Sequence, residues 1–320
     1  MWLFNLNIAA LALVGFLTSG NIETGSDVVP QAKTIPASAK IKRGQSTRSA
    51  KIDGIERTYH LYVPKSAQQG AARLVIAFHG GGGSAKGFSK RSHLREMADR
   101  YGFVLAMPQG IKSDWNAGSN PPVGYAEAKQ IDDLGFVNHI IDDLSRTGKI
   151  NPNGVYAMGM SKGGMMAYWA ACNMPSRFAA IAVVAGTLSS KRCPISDDTS
   201  LLHIHGTNDQ NVPFEGGRGM HTRKNTVWPS ALKGIQTFKQ GEQCSTTEVD
   251  RQVTSDTTCT AVACPNAGKV EYCLVENGGH AWPGVARTER QRRRGIYVSV
   301  MLFEGWGLMH GNRGRAARAG

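Results

Sequence analysis

Seven short segments of the chain have the length and the apolar or alternating pattern of β-strands. RTYHLYVP at 57–64 alternates apolar and polar residues, as a half-buried strand does. Continuous apolar runs such as ARLVIAFHG at 72–80 are typical of buried central strands. The remaining predicted strands lie at 103–110, 154–160, 178–186, 201–209 and 270–280.

Helical periodicity lies between these segments. Leu94, Met97 and Ala98 predict a helix over 89–102, and a second pattern predicts a helix over 132–148. The stretch GMMAYWAACNM, after residue 163, is also typical of a helix. Strands that alternate with helices predict an α/β fold, with a mostly parallel central sheet and helices on both faces. Functional residues of such sheets lie at the carboxyl ends of the strands.

The N-terminal 20 residues resemble a secretory signal peptide. Residues 8–17 are apolar and precede small or polar residues, although no lysine or arginine lies before them. A buried N-terminal strand or helix is the alternative. Because the run is too short to span a bilayer comfortably, we expect no integral membrane segment in the mature chain. We expect residues 21–50, which are rich in small and polar residues, to form a linker, and the protein to be secreted or periplasmic.

Six cysteines support export. None belongs to a CxxC pair, and no histidine has the spacing of a zinc site, so we expect no metal. An even number of cysteines in an exported chain favours disulfides, with the pairing left open and scattered buried thiols as the alternative.

Composition and charge change the picture little. The chain has 320 residues, 41% of them hydrophobic, which suffices for one large domain. Its formal net charge is +13, and the segment 285–320 holds eight arginines against two glutamates. Such a tail could favour anionic surfaces or polymers, but it requires no nucleic-acid partner.

The sequence GMSKG at 159–163 matches the pattern G-x-S-x-G between a predicted strand and a predicted helix. A nucleophile at such an elbow needs small neighbours, because the turn is too sharp for larger side chains. We therefore expect Ser161 to be a nucleophile, with a simple tight turn as the alternative. A serine hydroxyl reacts only when a base removes its proton.

The base and its partner carboxylate are expected in later strand-end loops, in the order serine, acid, histidine. HGTNDQNVPFEGG supplies Asp209, and ENGGHAWPG supplies His280. His203 and His205 lie in an apolar strand and are more simply explained as core histidines with backbone partners. Asp132 and Asp133 open a helix, where N-capping is their expected role.

An anion site for a tetrahedral intermediate would use the N–H of Lys162 and one from the loop HGGGGS at 79–84. A flexible turn is the alternative for this loop, and its spacing does not fit a phosphate-binding loop. Trp115 and Trp282 lie in strand-end loops, where either could stack on a substrate or simply pack.

Five segments together resemble the exported serine esterases that include polyhydroxybutyrate depolymerases and feruloyl or acetylxylan esterases. They are HGGGGS, DDLGFVNHIIDDL, GMSKGGMMAYWAA, HGTNDQNVPFEGG and GGHAWPG, within residues 50–284.

The resemblance implies an α/β-hydrolase fold over 51–284 and hydrolysis of polyesters or plant cell-wall esters without metal or cofactor. It implies Ser161 as nucleophile, Asp209 as acid and His280 as base. The implied oxyanion donors are Lys162 and Gly81, with the choice among glycines 80–83 left open. It also implies a disulfide between Cys172 and Cys193.

The chain departs from the family pattern after GGHAWPG. The family continues into a segment that ends in a helix packed on the sheet, whereas residues 285–320 are Arg-rich and lack a clear amphipathic pattern. In the family pattern this C-terminal segment contributes to the packing beneath the catalytic histidine, so the departure affects how His280 is supported. Two alternative functions stay open. The protein could be a serine peptidase of the same fold, or a catalytically impaired protein that binds anionic polymers through this basic tail.

Overall fold

The computed structural model describes residues 41–67, 72–195, 199–220, 222, 226–265 and 268–282. The predicted signal peptide and the Arg-rich tail lie outside the described residues. None of the helices in these ranges combines the length and apolar character needed to cross a lipid bilayer.

The strands are β1 Gly44–Ile52, β2 Ile55–Val63, β3 Ala72–Phe78, β4 Val104–Pro108, β5 Ile150–Met160, β6 Ala180–Val184, β7 Ser200–Gly206, β8 Gly217–Arg218, β9 Val227–Trp228, β10 Val249–Thr254, β11 Thr257–Ala263 and β12 Lys269–Val275. The helices are α1 Ala85–Ser92, α2 Leu94–Tyr101, α3 Tyr125–Ala128, α4 Asp133–Arg146, α5 Lys162–Asn173 and α6 Ala231–Gly241.

Ten strands form one sheet in the order β1-β2-β4-β3-β5-β6-β7-β12-β11-β10. The six central strands, from β4 to β12, are parallel, and antiparallel strands flank them on both sides. The parallel centre places the carboxyl ends of β3, β5, β7 and β12 at the same edge, where the candidate loops meet.

Helices cover both faces of this sheet. Along β3, Leu74, Ile76 and Phe78 pack into a core formed with α4, α5 and α6, whereas Val75 and Ala77 face α1 and α2. The period of two in a strand produces this division of side chains. The predicted α/β-hydrolase fold, with helices on both faces of a mostly parallel sheet, is confirmed.

All seven strands predicted from the sequence are present, as β2 to β7 and β12. The helix predicted over 89–102 is instead two helices, because His93 between α1 and α2 has a φ of 55°. A left-handed residue cannot continue a right-handed helix.

The stretch predicted as a linker, 21–50, contains part of a strand. Strand β1 begins at Gly44 and pairs with β2 along its whole length, so residues 44–50 are part of the sheet. As an edge strand, it alternates between exposed and half-buried positions. Small or polar residues therefore occupy most of β1, and its sequence shows no hydrophobic periodicity that would predict a strand.

Three disulfides join Cys172 to Cys193, Cys244 to Cys264 and Cys259 to Cys273. The first confirms the pair implied by the family resemblance. The third links β11 and β12 at directly opposed positions.

Candidate active site

Ser161 lies at the sharp turn between β5 and α5, with φ 56° and ψ −125°. A Cβ on Gly159 would lie 2.3 Å from the carbonyl carbon of Gly163, and one on Gly163 would lie 2.3 Å from the carbonyl oxygen of Phe78. Both flanking positions therefore require glycine. The elbow predicted from G-x-S-x-G is present, with an uncommon left-handed φ at the serine itself.

Asp209 and His280 meet across two strand-end loops. His280 Nδ1 lies 2.7 Å from Asp209 Oδ2, and the carboxylate is fully buried while the imidazole is partly exposed. The other oxygen, Oδ1, accepts hydrogen bonds from the backbone N–H groups of Asn211 and Val212, each at 2.9 Å. The carboxylate thus has a fixed orientation toward the histidine.

The surroundings of Asp209 favour its ionised form. Burial alone would raise its pKa, but hydrogen bonds from His205 and His280 and from the Val212 N–H outweigh that effect and lower the pKa below its ordinary value. Asp209 therefore remains a hydrogen-bond acceptor for His280 at neutral pH.

Ser161 and His280 line the same cavity, which has a volume of about 360 Å³. The described residues contain no hydrogen bond between the two side chains. Such contacts are often long in unliganded enzymes and shorten when substrate binds. The other lining residues are His79, Gly80, Gly81, Gly83, Phe88, Arg91, Ser92, Met160, Ala281 and Trp282.

The loop after β3 contains four consecutive glycines, and the backbone N–H groups of two of them donate hydrogen bonds within the protein. Gly82 donates to the carbonyl oxygen of Ser113 at 2.8 Å, and Gly83 donates to that of Gly80 at 3.0 Å. Within the described part of the chain, the N–H groups of Gly80 and Gly81 have no acceptor. Both residues line the cavity, so the choice of candidate anion donors narrows to these two.

Lys162 has a buried side chain, which no pattern in the sequence predicts. Its Nζ lies 2.5 Å from Oε1 of the buried Glu127, which also accepts hydrogen bonds from the N–H groups of Ser119, Val123 and Gly124. Burial raises the pKa of Glu127, but the positive charge and hydrogen bond of Lys162 reverse this, and the net pKa is lowered. The pair attaches the loop 119–127 to the nucleophile elbow.

The two candidate tryptophans differ. Trp115 is completely buried, donates from Nε1 to the carbonyl oxygen of His79 at 2.8 Å and packs against Phe78. It does not line the cavity, so its expected role in binding substrate is wrong: its ring holds the base of the glycine loop. Trp282 does line the cavity, where its ring meets Phe88 edge to face at 5.1 Å.

His203 and His205 are buried, as expected of core histidines. His205 has the expected backbone partner, the carbonyl oxygen of Val212 at 2.7 Å. The partners of His203 are instead side chains, namely Tyr168 and His205. Alternation along β7 places both imidazoles on the same face of the sheet, which the sequence could have indicated.

One cluster in the described residues has the composition of a metal site, namely Cys259, Cys273 and Glu271. Both sulfurs form a disulfide, and the Glu271 carboxylate pairs with Arg251 and Lys269. These atoms therefore offer no free thiolate to an ion.

Comparison with known proteins identifies related sequences. A family model described as "Esterase PHB depolymerase" matches residues 57–198. The putative esterase NocK of Nocardia uniformis subsp. tsuyamanensis is 28% identical over 86% of this chain and 89% of its own length. Feruloyl esterase B of Piromyces equi is 26% identical over 66% of this chain, which spans only 40% of that protein.

Solved structures support the same fold. The acetyl xylan esterase from Aspergillus awamori superposes with a TM-score of 0.56 over 82% of this chain and 99% of its own, at 13% sequence identity. A Thermogutta terrifontis esterase 2 in its apo form gives a TM-score of 0.51 at 15% identity, covering 84% of this chain and 97% of that one. The esterase resemblance indicated by the five motifs is confirmed.

Proposed function

We propose that this chain belongs to the PHB depolymerase family of esterases and is a serine hydrolase that cleaves carboxylic esters through an acyl-enzyme intermediate. The observation that carries the proposal is the 2.7 Å contact between Asp209 and His280 at the cavity that Ser161 lines. The three residues follow each other along the chain in the order serine, acid, histidine, and each lies just beyond a strand of the parallel centre.

In the first half-reaction, the Ser161 oxygen attacks the ester carbonyl carbon while its proton passes to His280. Because Nδ1 of His280 donates to Asp209, Nε2 is the nitrogen that accepts this proton. The tetrahedral intermediate collapses, His280 protonates the leaving alcohol, and the acyl group stays on Ser161. Water then repeats these steps and releases the acid, with His280 as base and then as acid.

The oxyanion is stabilised by backbone amides at the start of α5 and in the glycine loop. The N–H of Lys162 is one proposed donor, and that of Gly81 is the other, with Gly80 as its neighbour in the same cavity. Each such donor typically lowers the barrier by roughly 3 kcal/mol. The buried pair between Lys162 and Glu127 keeps the lysine side chain at a fixed place beside this position.

We propose that the acyl part of a polyester or of an esterified plant cell-wall polymer occupies the cavity. Phe88 and Trp282 provide an aromatic wall, and Met160 adds an apolar one. The proposed class follows from these surfaces and from the esterases to which the chain is similar. The three disulfides support secretion or a periplasmic location, because such bonds persist in oxidising compartments.

Labelling with a fluorophosphonate, followed by turnover of p-nitrophenyl esters, tests the proposal. Ser161→Ala should abolish both while leaving the circular dichroism spectrum unchanged, and Ser145→Ala on α4 is the matched control that should retain both. Ester hydrolysis by the folded Ser161→Ala protein would refute the assignment. Absence of labelling in the wild type would favour a binding protein, and faster cleavage of peptide amides than of esters would favour a peptidase.

The substrate class needs a separate panel. Acetylated xylan, a feruloyl ester and a short-chain polyester, compared by kcat/KM, should separate the possible acyl groups. Trp282→Ala should lower kcat/KM most for the preferred polymer, because it removes one wall of the cavity. Equal losses for all three substrates and for p-nitrophenyl acetate would contradict a role in substrate choice.

A further inference from the structure

A line of buried polar side chains leads from Asp209 into the core between the sheet and α5. The Tyr168 hydroxyl lies 2.9 Å from His203 Nδ1, and His203 Nε2 lies 3.0 Å from His205 Nδ1. His205 Nε2 in turn lies 2.7 Å from the carbonyl oxygen of Val212 and 3.4 Å from Asp209 Oδ2. The three aromatic side chains are 1% exposed or less, and the proposed reaction uses none of them directly.

The direction of these hydrogen bonds follows from one backbone group. A carbonyl oxygen can only accept, so the proton must be on Nε2 of His205. When this ring is neutral, its Nδ1 is an acceptor, which requires Nε2 of His203 to donate. Nδ1 of His203 is therefore also an acceptor, and the Tyr168 hydroxyl donates to it.

Burial agrees with this assignment. It lowers the pKa of His203 well below its ordinary value, so the ring is neutral. Burial likewise raises the pKa of Tyr168, whose hydroxyl keeps its proton. All donors thus point toward the Asp209 loop.

Val212 joins this line to the carboxylate. Its N–H donates to Asp209 Oδ1, while its carbonyl oxygen accepts from His205, so the loop 209–212 is held from two sides. We propose that His205 is a positioning residue, which orients the Asp209 carboxylate toward His280 and helps to keep it ionised. His203 and Tyr168 fix the tautomer that His205 needs for this task. The inference rests on the proposed function, because it takes Asp209 and His280 as the catalytic pair.

Few titratable groups other than these histidines contact Asp209 and His205 in the described part of the chain. In the described part of the chain, the titratable groups in contact with the Asp209 carboxylate are His205 from β7 and His280 from the loop after β12. His203 is the titratable neighbour on the other side of His205, and Phe214 packs against both imidazoles at 5.5 to 6.5 Å between ring centroids.

Substitution of His205 tests the proposal through the pH profile. His205→Leu should lower kcat about tenfold, the size expected for a lost hydrogen bond to a charged group, with little change in KM. Without this donor, the pair of Asp209 and His280 holds its proton more tightly. The acidic limb of kcat/KM should therefore move up by about half a pH unit or more. His205→Gln, whose amide can still donate to the Val212 carbonyl oxygen, should restore most of the wild-type kcat and most of the wild-type pH profile.

His60→Gln, on half-buried β2, is the matched control and should leave the profile unchanged. A folded His205→Leu protein with the wild-type kcat and pH profile would overturn the proposal. So would equal defects in the Leu and Gln variants, since these would indicate packing alone.

Histidine side-chain ¹⁵N NMR of the unmodified protein provides a second test that does not depend on activity or on a variant that folds. At pH 7 we expect His203 to be neutral, and both His203 and His205 to carry a proton on Nε2. An Nε2 of His205 without a proton would contradict the proposal, because this nitrogen could then not donate toward the Asp209 loop. Tyr168→Phe should perturb the His203 signals, and Tyr156→Phe should not. Failure of the serine assignment would appear only in the Ser161→Ala assay, so the two outcomes remain distinguishable.

Discussion

Replacing Glu127 by glutamine should destabilise the domain and slow turnover at the same time. Oε1 of Glu127 accepts from Lys162 Nζ at 2.5 Å, and Oε2 accepts from the Val123 N–H at 2.7 Å. The two side chains are 2% and 8% exposed, so water cannot replace the lost partner. Glutamine has the same shape but a single acceptor oxygen, and it leaves the Lys162 ammonium without a counter-charge.

The magnitude follows from this burial. Removing one partner of a buried ion pair typically costs about 3–5 kcal/mol, because the other charge stays in a medium of low polarity. In a domain of this size each kcal/mol lowers Tm by roughly 2–4 °C, so Glu127→Gln should lower Tm by roughly 10 °C. Since the backbone N–H of Lys162 is a proposed oxyanion donor, kcat should fall as well.

The pH dependence of the loss has a defined sign. Burial raises the pKa of Glu127, but the Lys162 charge outweighs it and the folded-state pKa lies below the ordinary value. The stabilisation is therefore present above the pKa of an unfolded glutamate and is lost as pH falls through the folded-state value. The stability difference between wild type and variant should shrink in acid.

A double-mutant cycle with Lys162→Met provides the assay, with unfolding followed by circular dichroism in urea. The double variant should be more stable than the sum of the single losses predicts, since neither charge is then left alone. Asp142→Asn, which breaks the more exposed pair with Arg177, is the control and should change stability by about 1 kcal/mol or less. A Glu127→Gln protein as stable as the wild type would refute the reasoning.

Three further changes test the elbow, the acid and the sheet edge. Gly163→Ala should prevent the elbow from forming, because the new Cβ would lie 2.3 Å from the Phe78 carbonyl oxygen; a folded variant that still reacts with fluorophosphonate would contradict this. Asp209→Asn should keep the fold but lower kcat by roughly 10⁴-fold, as in other triads, and a loss below tenfold would argue against its role. Because the pKa of Asp209 is lowered, protonation of this carboxylate should not limit wild-type activity at pH 5 to 8, as a pH profile would show. Replacing Cys259 and Cys273 together by serine opens a link between residues 14 apart and should cost about 3 kcal/mol in urea unfolding, whereas an unchanged midpoint would show that the bridge adds nothing.

Local patterns were sufficient to predict the parallel centre and the elbow. Strands such as β3 are buried on both faces, so every position of β3 except Arg73 is apolar and the run is visible in the sequence. At Ser161 the requirement is also local, because Gly159 and Gly163 must lack side chains for the turn to close. Such constraints act between neighbours along the chain.

The elements that the sequence did not reveal depend on distant partners. Strand β10 at the sheet edge is largely exposed, so it carries polar residues without a period. Asp132 caps α4 as predicted, with its side chain accepting from the Gly135 N–H, but Asp133 is a buried partner of Arg57 at 2.5 Å. Two adjacent aspartates differ here only because one faces an arginine that lies 76 residues earlier.

The position of His280 likewise depends on contacts with residues that are distant in the sequence. Its loop begins at the end of β12, which lies inside the sheet between β7 and β11. The Thr207 N–H donates to the Val275 carbonyl at 3.0 Å and the Asn208 N–H to that of Gly278 at 2.9 Å, so the histidine loop is bonded directly to the Asp209 loop. A Cβ on Gly206 would lie 2.1 Å from the Gly278 oxygen, which shows how closely the two loops pack. Within the described part of the chain, these contacts between the two loops place His280 beside Asp209 and are formed by residues before 281.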